Sequence, residues 1–251
     1  MDLGLKGKGV VVTGASGGIG RAIALEFAQE GANLAICSRG REALEKARSE
    51  LEAKGVEAYA QVCDVSDIVA LNMFLESANS SLRQIDVLIN NASGWGASDD
   101  ETGWAACFSV DIMASVRASW KVVPWMEEHG GGAIIHISSI AAMEAGWAPA
   151  YAAAKAALIS HAKTLANTLA PKGIRVNCVA PGSIEFPGGR WEQTKQRNPQ
   201  RYEAIRRSIP FGRLGTPEEI AAAVVFLSSS RASWISGITL AVDGAQHKGN
   251  L

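Results

Sequence analysis

Short runs of consecutive apolar residues recur along the chain, and each follows a stretch that closes on glycine. Gln29-Glu30-Gly31 precedes Asn33 to Cys37, and Ala53-Lys54-Gly55 precedes Val56 to Val62. Glu128-His129-Gly130 precedes Ala133 to Ile137, and Pro171-Lys172-Gly173 precedes Ile174 to Val179. A glycine just past a helix accepts the left-handed backbone that closes the helix and redirects the chain. The runs, such as Val10-Val11-Val12 and Ala133-Ile134-Ile135, are continuous rather than alternating. That pattern marks strands covered on both faces, as in a parallel sheet. It predicts seven strands, near 8–13, 33–38, 56–62, 86–90, 132–138, 174–179 and 237–242. Alternating with helices, they give right-handed βαβ units: an α/β fold with a doubly wound parallel sheet and helices on both faces.

No linker or low-complexity segment divides residues 1–251, so one domain is expected. The break in regularity is 183–216, rich in Pro, Gly, Arg and Gln. Irregular insertions of that length commonly serve as lids or binding loops, and this one is read as a substrate lid. It ends at Thr216-Pro217-Glu218-Glu219, where Thr216 suits an N-cap, Pro217 the first helical position and Glu219 the third.

Composition supports this picture and narrows the function. A chain of 251 residues, 47% hydrophobic, can bury one sizeable core. A net charge of -1 offers no basic field for nucleic acid or an anionic membrane. No apolar run is long enough to span a bilayer, and MDLGLKGK lacks the apolar core of a signal peptide, so a cytoplasmic protein is expected. Cys37, Cys63, Cys107 and Cys178 are dispersed, with no CxxC pair, and read as reduced thiols. His129, His136, His161 and His247 are dispersed too, so no metal site is indicated.

The first strand runs into Thr13-Gly14-Ala15-Ser16-Gly17-Gly18-Ile19-Gly20, and a helical stretch, Arg21 to Phe27, follows. Glycines let backbone approach a pyrophosphate, and a helix N-terminus supplies free N–H groups and partial positive charge. The second strand ends Ser38-Arg39. A carboxylate there would bind the ribose 2′-hydroxyl of NAD; a guanidinium without one favours the 2′-phosphate of NADP. NADP is therefore expected over NAD.

Tyr151 and Lys155 are four residues apart on one predicted helical face. A phenol, with a pKa of about 10, becomes a workable acid/base when an ammonium stabilises its phenolate. The fifth strand ends Ser138-Ser139, and a hydroxyl there could orient a substrate oxygen opposite Tyr151.

Together these residues resemble the classical short-chain dehydrogenases/reductases, in the branch of the 3-oxoacyl-carrier-protein reductases. The resemblance covers nearly the whole chain. It rests on Thr13-Gly14-xxx-Gly18-x-Gly20, Asp64, Asn90-Asn91-Ala92, Ser138-Ser139, Tyr151-xxx-Lys155 and Asn177-Cys178-Val179-Ala180-Pro181-Gly182, in that order. It implies a single-domain Rossmann fold and hydride transfer between a nicotinamide and a ketone or secondary alcohol. It also implies that Gly14, Ser16, Gly18, Ile19 and Gly20 hold the pyrophosphate, and that Ser38 and Arg39 face the adenosine ribose. Asp64 and Val65 would contact adenine, and Asn91 and Ala92 would line the cleft. Pro181, Gly182 and Ile184 would hold the nicotinamide. Catalysis would fall to Ser139, Tyr151 and Lys155, with Lys155 lowering the Tyr151 pKa and holding the nicotinamide ribose. A homotetramer is implied, and the small-residue helix from Ala152 to Ala170 suits close packing between subunits.

Three positions depart from the family pattern. The usual Asn of a proton relay is Asp111. Strand alignment favours Ser139 as the orienting hydroxyl, whereas spacing to Tyr151 favours Ser138. The Thr that often binds the carboxamide is replaced by Phe186, which leaves that task to backbone groups.

Trp95, Trp147, Trp191 and Phe186 fall in loops at the expected ligand edge. They read as an aromatic wall for a bulky or aryl-bearing carbonyl, or as packing beneath the lid or at a subunit interface. Arg190, Lys195, Arg197, Arg201, Arg206 and Arg207 read chiefly as a solvated helical face of the lid. The function expected is an NADP(H)-dependent carbonyl reductase or alcohol dehydrogenase acting on a small molecule. The alternatives are a 3-oxoacyl thioester reductase and a non-catalytic dinucleotide sensor.

Overall fold

The computed structural model describes residues 2–249. Its strands are β1 (Gly9–Thr13), β2 (Asn33–Ser38), β3 (Ala58–Val62), β4 (Val87–Asn90), β5 (Gly132–Ile137), β6 (Ile174–Pro181) and β7 (Thr239–Val242). All neighbours pair in parallel, in the order β3-β2-β1-β4-β5-β6-β7. Every predicted strand is present. The helices are α1 (Gly18–Gln29), α2 (Arg41–Glu52), α3 (Ile68–Leu82), α4 (Glu101–Ala106), α5 (Ser115–Glu128), α6 (Pro149–Leu169), α7 (Arg190–Arg197), α8 (Pro199–Ser208) and α9 (Pro217–Ser228). The result is a single-domain Rossmann fold.

The continuous apolar runs are explained by the two faces of the sheet. Successive strand residues point to opposite faces. Val10 and Val12 pack with Ile23, Phe27, Leu44 and Val224 from α1, α2 and α9. Val11 packs on the other side with Leu71, Phe74, Val122 and Ala162 from α3, α5 and α6. Each fully buried side chain of this kind contributes about 1.5–3 kcal/mol relative to exposure. The strand order reverses between β1 and β4, which opens a crevice at their carboxyl ends.

Two segments differ from the sequence pattern. Residues 183–216 are not irregular: they contain α7 and α8, with a small core of Trp191, Tyr202, Ile209 and Leu214. Asn198 caps α8 by accepting from Arg201 N at 3.0 Å. The start of α9 is as expected, with Thr216 N donating to Glu219 Oε2 at 2.9 Å. The second difference is a π-helical stretch, Cys107–Ala114, between α4 and α5. Ser109 Oγ donates to Ala105 O at 2.7 Å and Ser115 Oγ to Asp111 O at 3.0 Å, so side chains compete for backbone acceptors around it. The wide turn buries Asp111 completely. Such stretches recur at functional sites. Among the described residues, no helix is long and apolar enough to cross a membrane.

Candidate active site

The glycine-rich turn joins the ends of β1 and β4. Thr13 Oγ1 accepts from Asn91 N at 3.0 Å and Ala92 N at 3.2 Å. Asn91 Nδ2 in turn donates to Thr13 O at 2.9 Å and Gly14 O at 3.1 Å. Gly14 and Gly18 have φ of 68° and 52°, the left-handed region that favours glycine. A Cβ on Gly14 would come within 3.0 Å of Ala92 Cα, and one on Gly18 within 2.7 Å of the Phe186 ring. The N-cap of α1 is Gly17, which has no side chain to satisfy the helix's first N–H groups. The bare helix end and the side-chain-free approach fit a dinucleotide pyrophosphate.

A cavity of about 330 Å³ continues from this turn along the carboxyl edge of β2 and β3. Gly14, Ser16, Ser38, Arg39, Asp64, Val65, Asn91 and Ala92 line it. Arg39 is the charged residue that follows β2. Asp64 Oδ1 accepts from Ser66 Oγ at 2.7 Å and Ser66 N at 2.9 Å, which holds its carboxyl below the usual range. Two cysteines distant in sequence, Cys37 and Cys63, meet beneath this cavity as free thiols.

The larger cavity, about 510 Å³, lies over the carboxyl ends of β4, β5 and β6 and shares Asn91 and Ser93 with the first. Gly18, Ile19, Gly20, Ser139, Tyr151, Lys155, Pro181, Gly182 and Ile184 line it. The two cavities thus collect all of the residues to which the sequence assigns cofactor binding or catalysis. The turn after β6 is braced from the far end of the chain. Gln246 Oε1 accepts from Ser183 N at 2.8 Å, and Gln246 Nε2 donates to Ser183 Oγ at 2.9 Å. No sequence signal marks Gln246 for this task.

The two serines differ in their hydrogen bonding. Ser138 is buried, and its Oγ donates to Lys155 O at 2.9 Å, tying β5 to α6. Ser139 Oγ accepts from Ala141 N at 3.1 Å and faces the Tyr151 hydroxyl. Lys155 Nζ donates to Ile137 O at 2.8 Å and lies 2.8 Å from Asp111 Oδ1, with both side chains buried. Asp111 Oδ1 makes this contact as an ion pair rather than as a well-angled hydrogen bond. Asp111 Oδ2 accepts from Gly94 N at 2.9 Å. Where the family pattern has the Asn of a proton relay, the Asp111 carboxylate pairs directly with the lysine.

This changes the electrostatics expected of Tyr151. Burial pushes its pKa above the ordinary phenol value. Lys155 and the Ser139 hydroxyl pull it down, but Asp111 and Cys107 push it back up, and the net shift is upward. Lys155 does act to lower the Tyr151 pKa, as the sequence implied, but burial outweighs the ammonium and Asp111 adds to the rise. Burial also works against the charge of Lys155, yet Asp111 and Tyr151 outweigh it and the lysine pKa is raised. The resting pair is a protonated phenol beside a charge-compensated ammonium.

Trp95 packs on Tyr151, with ring centroids 4.6 Å apart. Its φ of 48° is unusual for a bulky residue. Both flanking amides are held: Gly94 N by Asp111, and Gly96 N by Cys107 Sγ at 3.2 Å. Trp147, Phe186 and Trp191 line the same cavity, but Trp191 is largely spent on the small core it forms with Tyr202, Ile209 and Leu214.

With this geometry in place, likeness to known proteins is informative. The family described as Enoyl-(Acyl carrier protein) reductase matches residues 14–247. Isoepoxydon dehydrogenase patN of Penicillium expansum is 37% identical over 254 residues, covering 99% of this chain and 98% of that protein. The chain belongs to the classical short-chain dehydrogenase/reductase family. Members of this family are NAD(P)-dependent oxidoreductases, and this protein is one. L-sorbose reductase from Gluconobacter frateurii, solved with NADPH and L-sorbose, is 36% identical with a TM-score of 0.92, covering 99% of this chain and 100% of that one. A 7α-hydroxysteroid dehydrogenase solved with NADH and 7-oxo glycochenodeoxycholic acid is 33% identical with a TM-score of 0.87, covering 97% and 96%. These short-chain dehydrogenases/reductases differ in cofactor and substrate, so no single branch of the family is favoured.

Proposed function

We propose that the protein is an NADP(H)-dependent carbonyl reductase in which Ser139 orients a ketone oxygen, Tyr151 protonates it and Lys155 holds the nicotinamide ribose. The observation that carries this is the arrangement on the cleft floor: Ser139 faces Tyr151, with Lys155 one helical turn behind. Bound nicotinamide supplies the hydride. Reduction of a ketone needs a proton donor at neutral pH, and a buried phenol with a raised pKa remains protonated there. The Ser139 hydroxyl can donate to the same oxygen, fixing the carbonyl between two hydroxyls. The Pro181-Gly182 turn and Ile184 would hold the nicotinamide edge, with backbone groups taking the place of the usual Thr. Phe186 closes over Gly18 instead.

Arg39 and Ser38 at the end of β2 support NADP, while the NADH-bound relative keeps NAD as the lesser alternative. Trp95, Trp147 and Phe186 support an apolar, bulky or aryl substituent on the substrate. A 3-oxoacyl thioester on an acidic carrier is less well supported, since it would need a free basic docking surface. Lys195 pairs with Glu185, Arg206 and Arg207 with Glu203, and Arg213 with Glu219. Exposed Phe108, Trp120 and Trp234 support a homo-oligomer, a tetramer as the family resemblance implies.

Cofactor oxidation against a panel of ketones tests the proposal. Saturable turnover with NADPH, weaker with NADH, is expected. Saturable dinucleotide binding without turnover on any carbonyl would overturn it in favour of a non-catalytic sensor.

A further inference from the structure

The cations of the lid are not one solvated face. Lys195, Arg206, Arg207 and Arg213 pair with carboxylates on the surface. Arg190 does not. It is half-buried, and among the described residues it has no hydrogen-bond or ion-pair partner. Its guanidinium stacks over the Trp95 ring at 4.5 Å, and Tyr151 and Trp147 line the same cavity. Lys155 and Arg190 are the charged residues lining this cavity, and no Asp or Glu lines it. Lys155 is already neutralised by Asp111. Arg190 is therefore the one uncompensated charge among the described residues of the cavity wall. Arg201 stands near it and adds to the positive field rather than cancelling it.

Removing a guanidinium from water without supplying a counter-charge is unfavourable. Burial and Arg201 both pull the Arg190 pKa down, which reports the same imbalance. A carboxylate would correct it by accepting the free, forked N–H donors. Trp95 fixes where that carboxylate must lie. The ring packs against Tyr151, with centroids 4.6 Å apart, and against Arg190, which lies 4.5 Å from its centroid. An oxygen at Tyr151 and an anion at Arg190 are thus bridged by this one ring, whose apolar surface would lie along the substrate between them.

We infer that the substrate is an anionic ketone, with an apolar or aryl body and a carboxylate several bonds from the carbonyl, which Arg190 receives. This deepens the carbonyl-reductase reading above and rests on it. An α-keto acid fits poorly, because its carboxylate would sit at the carbonyl itself.

The test compares β-benzoylpropionate with the neutral β-benzoylpropionamide on the NADPH-loaded enzyme. A charged hydrogen-bonded pair corresponds to a preference of about 10- to 100-fold in kcat/KM for the acid. Arg190→Gln should bring that ratio to about one, and Arg190→Lys should keep part of it. Arg197→Gln, on the exposed side of α7, should keep the wild-type ratio. A ratio near one in wild type, or an unchanged ratio in Arg190→Gln, would overturn the inference. So would an unchanged ratio accompanied by a large rise in the NADPH Kd, which would assign Arg190 to the cofactor phosphates. Calorimetric binding of the acid and the amide to the same holoenzyme gives the ratio without turnover. If no carbonyl is reduced at all, the reductase reading fails, and the binding ratio still decides the role of Arg190.

Discussion

Lys155 Nζ lies 2.8 Å from Asp111 Oδ1, and both groups are buried. Asp111 is also bonded to Gly94 N, next to the strained Trp95 that covers Tyr151. One carboxylate therefore sets the charge behind the proposed proton donor and the position of the ring in front of it. Removing one partner of a buried pair leaves the other uncompensated, at a cost of about 3–5 kcal/mol. Asp111→Ala should lower the melting temperature by about 6–20 °C for a chain of this size. Calorimetry checks it, and a change within error would mean that the pair is not formed.

Burial of Tyr151, modulated by the same pair, sets a pH dependence. Tyr151 must be protonated to reduce a ketone and deprotonated to oxidise an alcohol. With its pKa raised, reduction should be level across neutral pH and fall only above about pH 10. Oxidation should rise with pH, about tenfold per unit, over the same range. Asp111→Asn removes the charge that opposes Lys155, so the Tyr151 pKa should fall and both limbs should move to lower pH. pH profiles of kcat/KM for the two enzymes check the direction, and a shift to higher pH would contradict the role given to Asp111.

Ser138 and Ser139 should separate cleanly. Ser139→Ala removes a hydroxyl facing Tyr151 and should lower kcat/KM by about 10- to 100-fold, an effect of about 1.5–3 kcal/mol. Ser138→Ala removes a bond to the Lys155 carbonyl and should instead cost about 1 kcal/mol of stability. Steady-state kinetics and denaturant titration of both variants check the assignment, and the reverse pattern would restore Ser138.

His136 should make the fold acid-sensitive. It is buried between Asn90 Nδ2, 3.1 Å from its Nδ1, and His161 Nδ1, 3.3 Å from its Nε2. Burial, then His161 and Lys155, push its pKa down to about 3. Below about pH 6.5 the unfolded chain binds a proton that the folded one refuses, so stability is present above that pH and is lost as pH falls toward 3. The slope should approach about 1.4 kcal/mol per pH unit, and His161, also shifted down by burial, adds to it. His136→Gln should flatten the slope, and urea titrations across this range measure it.

Arg39 should decide between cofactors. Arg39→Ala should reduce kcat/KM with NADPH by about 10- to 100-fold and leave NADH little changed, since a charged bond to the 2′-phosphate is lost. Equal losses with both cofactors would remove the basis for preferring NADP.

The sheet was legible because its signal is local. Val10, Val11 and Val12 are all apolar as the sheet is covered twice, and glycines such as Gly31 and Gly55 punctuate the helices between. The dinucleotide turn and the Tyr151–Lys155 pair were legible for the same reason, each contained within a few consecutive residues. The Asp111–Lys155 pair was not, since it depends on a π-helical turn that no periodicity announces. Gln246 and Cys107 were missed because their partners, Ser183 and Gly96, are brought to them only by the fold. Arg190 looked like its neighbours on the lid until the carboxylates that neutralise them were located.

The proposed reaction turns on transfer of the Tyr151 proton to a ketone reduced by NADPH. Its most direct measurement is the turnover of wild type and Tyr151→Phe with NADPH and an aryl ketone, alongside the NADPH Kd of each. Saturable cofactor oxidation by wild type, a loss of about 1000-fold or more in Tyr151→Phe and a Kd changed only slightly are predicted. A Tyr151→Phe enzyme that still reduces the ketone at a comparable rate would contradict the account.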